Sequence, residues 1–142
     1  MADQRRGGIA WTDATWNPIR GCSRVSEGCR NCYAERTALR LAGDLVRPKG
    51  PYAGLVESTL AGPRWTGGVR FVDDALDLPL RWRAPRRIFV DSMSDLFYEQ
   101  VPDEWIVRIF AVMGAARRHT FQVLTKRPER MRAFVTQSEA RI

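Results

Sequence analysis

Cys22, Cys29 and Cys32 are the three cysteines of this 142-residue chain, and they lie within eleven residues of one another. An odd number of thiols cannot all form disulfides, and clustered cysteines in a reducing compartment favour metal binding or catalysis. Three buried apolar thiols are the structural alternative. Because Gly21, Gly28 and several polar residues surround the cysteines, the sequence favours ligation of a metal ion or cluster.

Three thiolates leave the choice of metal open. Structural zinc takes four ligands, so His119 or a carboxylate would have to complete a zinc site. A four-iron cluster usually takes four cysteines, so three would leave one iron open. We interpret the missing fourth cysteine as an open position for a substrate or cofactor. His119 is the only histidine, and its place beside a predicted strand start, at the opposite edge of the sheet, suggests a structural role.

Composition limits the class of protein. The hydrophobic fraction of 44% and five tryptophans predict one folded domain. The sequence has no run of 18 apolar residues, the length that a membrane span requires. The N-terminus has no signal-peptide core, so we expect a cytoplasmic protein. The formal net charge of +7 makes nucleic acid a candidate partner. The basic residues are spread along the chain, which fits a solvated surface equally well.

Hydrophobic patterning in the second half of the chain alternates between short buried-type strands and helices. The clearest helical pattern covers residues 101–118. Its apolar residues recur at helical spacing and are predicted to lie in the core: Ile106, Ile109, Phe110 and Met113. The predicted elements are strand 86–92, helix 101–118, strand 120–126 and helix 127–137. Helix 101–118 is marked at its start by Pro102 and Asp103 and at its end by Arg117 and Arg118. This alternation predicts a parallel sheet.

The first half gives weaker signals. Its glycines and prolines predict a loop-rich insertion over residues 44–68. The other predicted elements are a short strand within 9–19, a helix over 33–42, a short strand at 69–72 and helical turns over 73–82 broken by Pro79. The fold class is therefore α/β, as a half TIM-like barrel or an open parallel sheet with flanking helices. Residues 1–142 form a single domain that we expect to be incomplete, because a whole barrel needs over about 200 residues.

Ligands of parallel α/β folds bind at the carboxyl ends of the strands, in the loops that lead into helices. Three loops of this chain qualify: the cysteine loop, the loop after Val90 and the loop after Leu124. Their chemically active residues should converge on one edge, although local capping, a turn or plain surface exposure would explain each polar residue equally well. The candidates are Cys22, Cys29, Cys32, Asp91, Ser92, Ser94, Asp95, Thr125, Lys126 and Arg127.

Three segments carry a resemblance to a known family: IAWTDATWNPIRGC with GCRNCYAER, RRIFVDSMSDLF, and VPDEWI with TFQVLTKRPERM. From Ile9 to about Val135 the chain resembles the three-Cys-motif proteins of phages and bacteria. That family has no established function and is regarded as related to radical S-adenosylmethionine (SAM) enzymes, near spore photoproduct lyase. The relation implies a [4Fe–4S] cluster on Cys22, Cys29 and Cys32, with SAM on the open iron.

The resemblance implies one-electron cleavage of SAM to methionine and a 5′-deoxyadenosyl radical that abstracts hydrogen from the substrate. Tyr33 would pack beside the cluster or SAM. Lys126 or Arg127 would meet the SAM carboxylate. The SAM amino group or ribose would be bound by Asp91, Ser92, Ser94 and Asp95. The C-x6-C-x2-C spacing departs from the usual C-x3-C-x2-C of radical SAM enzymes, so the first part of the loop must bulge.

Two function classes follow. One is a radical-SAM-like enzyme that acts on nucleic acid or another substrate. The other is a non-catalytic, phage-associated protein in which zinc or a structural cluster supports binding to a host protein or nucleic acid. Since the family's proteins extend beyond the TKRPERM helix, we expect this chain to self-associate or to pair with a partner chain that completes the barrel.

Overall fold

The computed structural model describes residues 11–23, 34–35, 37–38, 53–60 and 62–139. The strands are β1 (Ala14–Trp16), β2 (Ile19–Arg20), β3 (Val56–Thr59), β4 (Gly62–Trp65), β5 (Arg70–Phe71), β6 (Arg87–Val90) and β7 (Thr120–Val123). The helices are α1 (Asp73–Leu76), α2 (Leu78–Arg81), α3 (Asp103–Ala115) and α4 (Pro128–Glu139).

A three-stranded parallel sheet in the order β1-β6-β7 organises the fold. The central strand β6 is buried along Ile88, Phe89 and Val90, because neighbouring strands cover its edges and side chains cover both faces. The Trp11 ring lies 4.9 Å from that of Phe89. The α/β class and the parallel sheet are thus confirmed. The described strands form no closed barrel.

The two long helices pack as the apolar periodicity predicts. Ile106 and Ile109 on α3 are fully buried, and Phe110 and Met113 pack against the core from partly buried positions. The ring of Phe134 on α4 lies 5.2 Å from that of Phe110, so the two helices share one apolar layer. α3 begins at Asp103 directly after Pro102, which confirms the predicted start.

The predicted end of α3 is wrong by a few residues. The helix ends at Ala115, so Arg117 and Arg118 lie beyond it rather than at its last turn. Arg118 instead donates to the carbonyls of Pro79, Leu80 and Trp82 at 2.7–3.0 Å. It therefore satisfies carbonyl groups at the end of α2 that have no partner within the helix.

The helical turns over 73–82 divide at Asp77 rather than at Pro79. Pro79 lies in the first turn of α2, where the missing N–H costs no intrahelical hydrogen bond. The Trp16 indole N–H donates to the Ala75 carbonyl at 2.7 Å and so fastens α1 to the sheet.

Residues 53–68 of the predicted loop-rich insertion contain an antiparallel hairpin of β3 and β4, which was not predicted. Within its two strands only Val56 and Trp65, which pair across the hairpin, are buried. The alternating apolar pattern that marks a strand is therefore absent. Gly62 takes the φ of +107° at the start of β4, which a side chain would disfavour.

His119 has the structural role expected of it. The Arg86 N–H donates to its Nδ1 at 3.2 Å, which leaves Nε2 as the donor to the Pro79 carbonyl at 2.8 Å. Its buried ring lies against Trp82 and Phe121. It directly precedes β7, at the edge of the sheet away from the cysteine loop.

The four described residues of the predicted 33–42 helix, namely Ala34, Glu35, Thr37 and Ala38, are helical. In the described part of the chain, no helix has the length and apolar character needed to cross a membrane.

Candidate functional site

The loops after β1, β6 and β7 meet at the carboxyl edge of the parallel sheet. The Asp91 N–H, just beyond β6, donates to the carbonyl of Trp16 at the end of β1 at 2.7 Å. Gly21 and Ser94 form an isolated parallel bridge, which brings the residue before Cys22 beside the loop after β6. The shared edge is therefore confirmed for the described parts of these loops.

Asn17 joins the first two loops and was not predicted as a site residue. Its Oδ1 accepts hydrogen bonds from the Ser92 hydroxyl at 3.1 Å and from the Met93 N–H at 3.0 Å. The one sequence signal that could have indicated it was its position as the first polar residue after β1. Ser92 thus contributes to the geometry of the loop after β6.

Asp91 is a buried carboxyl in a left-handed backbone conformation, with φ of +54°. Its Oδ1 accepts from the Ile19 N–H at 3.2 Å. In the part of the chain that the structure describes, neither its Oδ2 nor the nearby Ser94 Oγ has a hydrogen-bond partner of normal geometry. Burial raises the pKa of Asp91 well above its usual range, the charge of Asp95 adds to this, and the Ile19 and Ser94 groups oppose it only in part.

We predict that Asp91→Asn raises the free energy of unfolding by about 1 kcal/mol at pH 8. The native carboxyl keeps its proton to a higher pH than the unfolded one, so wild-type stability falls as the pH rises from the unfolded pKa towards the folded one. Asparagine cannot lose a proton, tolerates the left-handed conformation, and can donate to Ser94. Urea unfolding from pH 4 to pH 8 should show the difference from wild type shrinking near pH 4.

Asp91→Ala is the matched control. It removes the acceptor for the Ile19 N–H and puts a residue with no local side-chain hydrogen bond into the left-handed region. It should lower the free energy of unfolding by about 1–3 kcal/mol at pH 4. The loss should be smaller at pH 8, because wild type has itself lost stability there. Equal stability of the Asn variant and wild type at pH 8 would contradict the account of Asp91.

Asp95 is a buried carboxylate that accepts four hydrogen bonds. Its Oδ1 accepts from the Phe97 N–H at 2.9 Å and from the Thr125 hydroxyl at 2.7 Å. Its Oδ2 accepts from the Lys126 N–H at 2.8 Å and from the Arg127 guanidinium at 3.1 Å. The loop after β6 is thereby tied to the loop after β7.

Arg127 is a buried cation, only 6% exposed, at the centre of the edge. Besides Asp95, its Nε lies 3.2 Å from Oε2 of Glu99. Its Nη2 donates to the Ser23 carbonyl at 3.1 Å, and its guanidinium lies 4.7 Å from the centre of the Tyr98 ring. The guanidinium therefore contacts the loop after β6 and the start of the cysteine loop at once.

Cys22 is the one described cysteine, and its thiol is buried against this cation. The Arg127 Nη1 donates to Sγ at 3.7 Å. Burial raises the pKa of the thiol to about 11, and the guanidinium acts in the opposite direction. Although burial disfavours the guanidinium charge, the nearby Cys22, Asp95 and Glu99 raise the pKa of Arg127. A thiolate at this position would therefore have a fixed counter-charge beside it.

Gly21 sets the direction of the chain into the cysteine loop. It has φ of +99°, and a Cβ added there would lie 2.2 Å from the Gly68 carbonyl oxygen. We predict that Gly21→Ala lowers the free energy of unfolding by about 2–5 kcal/mol, since a left-handed alanine costs about 1–2 kcal/mol and the clash adds about 1–3 kcal/mol.

Gly54→Ala supplies the control for conformational strain alone. Gly54 also has a positive φ, of +79°, but a Cβ added there would meet no atom of the described residues within 4 Å. Thermal unfolding should show a loss limited to about 1–2 kcal/mol for this variant. Similar losses for the two variants would show that the approach of Gly68 is not a tight contact.

The structure brings together most of the predicted edge residues that it describes. These residues are Cys22, Asp91, Ser92, Ser94, Asp95, Thr125 and Arg127. The Lys126 side chain is exposed, and its backbone N–H serves Asp95. Cys29, Cys32 and Tyr33 lie outside the described residues. Asp95 and Arg127 have their polar atoms engaged with protein groups, which fits support of the site better than direct contact with a ligand.

Glu35 is a second residue that sequence reasoning missed. It is 1% exposed, in the helical segment after the cysteine loop, and its Oε1 accepts from the Trp65 N–H at 3.2 Å. The hairpin is thus attached to this segment. A glutamate within a helix pattern is typical of an exposed position, so no sequence signal indicated its burial.

In the part of the chain that the structure describes, no group of three His, Cys, Asp or Glu side chains is arranged to hold a metal ion. Fold and site together define an α/β protein with a buried thiol–guanidinium–carboxylate cluster at the carboxyl edge of a parallel sheet. The sequence matches a family described as protein of unknown function (DUF5131) over residues 6–142, and the chain belongs to this family. No curated protein and no solved structure matches it.

Proposed function

We propose that this protein is a radical-SAM-like iron–sulfur protein in which Cys22, Cys29 and Cys32 hold a [4Fe–4S] cluster. The observation that supports it most is the position of Cys22. Its buried thiol lies at the carboxyl edge of the parallel sheet, 3.7 Å from the buried Arg127 guanidinium. Cys29 and Cys32 follow seven and ten residues later in the chain.

Cys22 fits a ligand role on chemical grounds. Iron in such clusters is held by thiolates, and a buried thiolate is costly unless a positive group compensates its charge. Arg127 is such a group, and Asp95 and Glu99 fix its orientation. When bound, the cluster would supply the electron for reductive cleavage of SAM. The residues described here would hold the cysteine loop against the sheet edge and keep water from the Cys22 sulfur.

The proposal assigns SAM to the same edge, with a narrower set of contacts than the sequence predicted. Among the described residues, the buried Oδ2 of Asp91 and the buried Oγ of Ser94 have no hydrogen-bond partner of normal geometry. A ligand that brings an ammonium or hydroxyl group to them would remove the cost of leaving them unsatisfied. Ser92 bonds Asn17, and Asp95 bonds Arg127, so these two serve as supports.

The wider fold we propose is a half TIM-like barrel. The parallel order β1-β6-β7 supports it, with each strand followed by a loop that contributes to one edge. Among the described strands, β1 and β7 each pair on one side only. Unpaired edges invite pairing with another strand, which supports self-association or a partner chain. Sedimentation at two protein concentrations tests this, and a monomer at both would argue against self-association.

Anaerobic purification and reconstitution, followed by iron, sulfide and zinc analysis, tests the cluster. About four irons and four sulfides per chain are expected for a four-iron cluster. Stoichiometric zinc without iron would overturn the proposal. That result would instead support the non-catalytic class, in which a zinc-stapled protein binds a host protein or nucleic acid.

A further inference from the structure

Arg127 joins all three loops of the site through one guanidinium. Its Nη1 donates to Cys22 Sγ and to Asp95, its Nη2 donates to the Ser23 carbonyl, and its Nε donates to Glu99. The group is 6% exposed, so solvent screens these interactions little. A cation held this firmly beside a thiol must act on any charge that the sulfur carries.

Charge at the sulfur changes when a cluster held by thiolates is reduced. Reduction adds one negative charge to the cluster and its ligands. Hydrogen bonds to the sulfurs, net charge and solvent exposure set the reduction potential of such clusters. A neighbouring cation and an N–H···S hydrogen bond both stabilise the more negative state, so both raise the potential.

We propose that Arg127 is a positioning residue that raises the reduction potential of the cluster through its hydrogen bond and its charge at Cys22. The proposal rests on the cluster assignment made above. It adds a role that the sequence did not suggest, since the expected partner of Arg127 was the SAM carboxylate. With its nitrogens directed to Cys22, Ser23, Asp95 and Glu99, the guanidinium tunes the cluster rather than binding SAM.

Asp95 and Glu99 are the two carboxylates around Arg127. Their negative charges partly offset the effect of Arg127 on the reduction potential, and they do so by different amounts. Asp95 is buried and its charge is spread over four hydrogen bonds, so it holds the guanidinium in place. The Glu99 side chain is 67% exposed and contacts only one side of the guanidinium. Glu99 can therefore be neutralised with little risk to the fold. Its loss leaves more net positive charge near the sulfur.

Redox titration of the reconstituted protein, followed by EPR of the reduced cluster, tests the role. In Arg127→Gln, the ratio of reduced to oxidised cluster at a fixed potential should fall about tenfold, which is ~59 mV for one electron. Arg127→Lys keeps the charge but loses the fork of N–H groups, so its ratio should fall less. In Glu99→Gln the ratio should rise, by about twofold.

Arg108→Gln is the matched control. Arg108 is an exposed arginine paired with Asp73, and its loss changes the net charge equally without touching Cys22. The ratio of reduced to oxidised cluster in Arg108→Gln should equal that of wild type. Unchanged potentials in the Arg127 variants and in Glu99→Gln, with full iron and sulfide, would overturn the proposal. A shift in Arg108→Gln as large as in Arg127→Gln would also overturn it.

Two outcomes need separate interpretation. If Arg127→Gln does not fold or does not hold iron, the opposite shift in Glu99→Gln decides the question alone, and its absence overturns the role of Arg127. If the wild-type protein holds zinc instead of a cluster, the cluster assignment itself has failed. Iron and sulfide analysis of wild type, made before the titration, distinguishes these two failures.

Discussion

Asp95→Ala is expected to lower the free energy of unfolding by about 3–5 kcal/mol. The substitution removes the buried counter-charge of the Arg127 guanidinium and leaves it only the exposed Glu99 carboxylate. Breaking a buried ion pair by removing one partner is strongly destabilising. Both side chains of the pair are almost fully excluded from solvent, at 7% and 6% exposure. The Thr125 hydroxyl and the Lys126 N–H also lose their acceptor.

Asp73→Ala provides the comparison in urea unfolding. Asp73 pairs with Arg108 at 3.0 Å, but the Asp73 side chain is 73% exposed and the pair is screened by solvent. Its loss should cost no more than about 1 kcal/mol. If Asp95→Ala and Asp73→Ala lose similar stability, the buried cluster does not hold the three loops together.

Cys22→Ser is expected to remove most of the iron and sulfide from the reconstituted protein. A serine hydroxyl stays protonated near neutral pH and is a poor ligand for iron in sulfide clusters, which are held by thiolates. Loss of a group that only supports a metal ligand already weakens metal binding by about 10–100-fold, so loss of a ligand should leave little iron per chain. Colorimetric iron and sulfide assays, made in parallel with wild type, measure it.

Ser23→Ala is the matched control for this variant, because its backbone carbonyl remains as the acceptor for Arg127 Nη2. The Ser23 hydroxyl lies 3.4 Å from the same nitrogen, so its loss should change little. Full iron content in Cys22→Ser would exclude Cys22 as a ligand. Loss of iron in both variants would show instead that the loop has been disturbed as a whole.

The part of the fold that could be predicted is the part with strong periodicity. β6, β7, α3 and α4 all lie close to their predicted positions, because apolar runs and helical spacing decide burial there. Their parallel order placed the loops after Val90 and Leu124 at one edge. The hairpin of β3 and β4 could not be predicted because only one residue of each strand is buried, so its sequence shows no alternation of apolar and polar residues.

The candidate site also has a part that the sequence predicts and a part that it does not. Spacing indicated which loops converge, but not how their side chains pair. Lys126 and Arg127 were equivalent in sequence, yet Arg127 is buried and Lys126 is exposed. The difference arises from contacts distant in the chain, with Asp95 32 residues away and Cys22 105 residues away. Asn17 and Glu35 were missed for the same reason, since their partners are remote.

We propose that the three cysteines hold a four-iron cluster with one iron open to SAM. EPR of the reduced, reconstituted wild-type protein, recorded with and without SAM, tests it most directly. We predict the signal of a reduced four-iron cluster that changes shape when SAM is added. A signal identical in both samples would contradict SAM binding at the cluster. The absence of any iron–sulfur signal in protein that retains zinc would contradict the cluster itself.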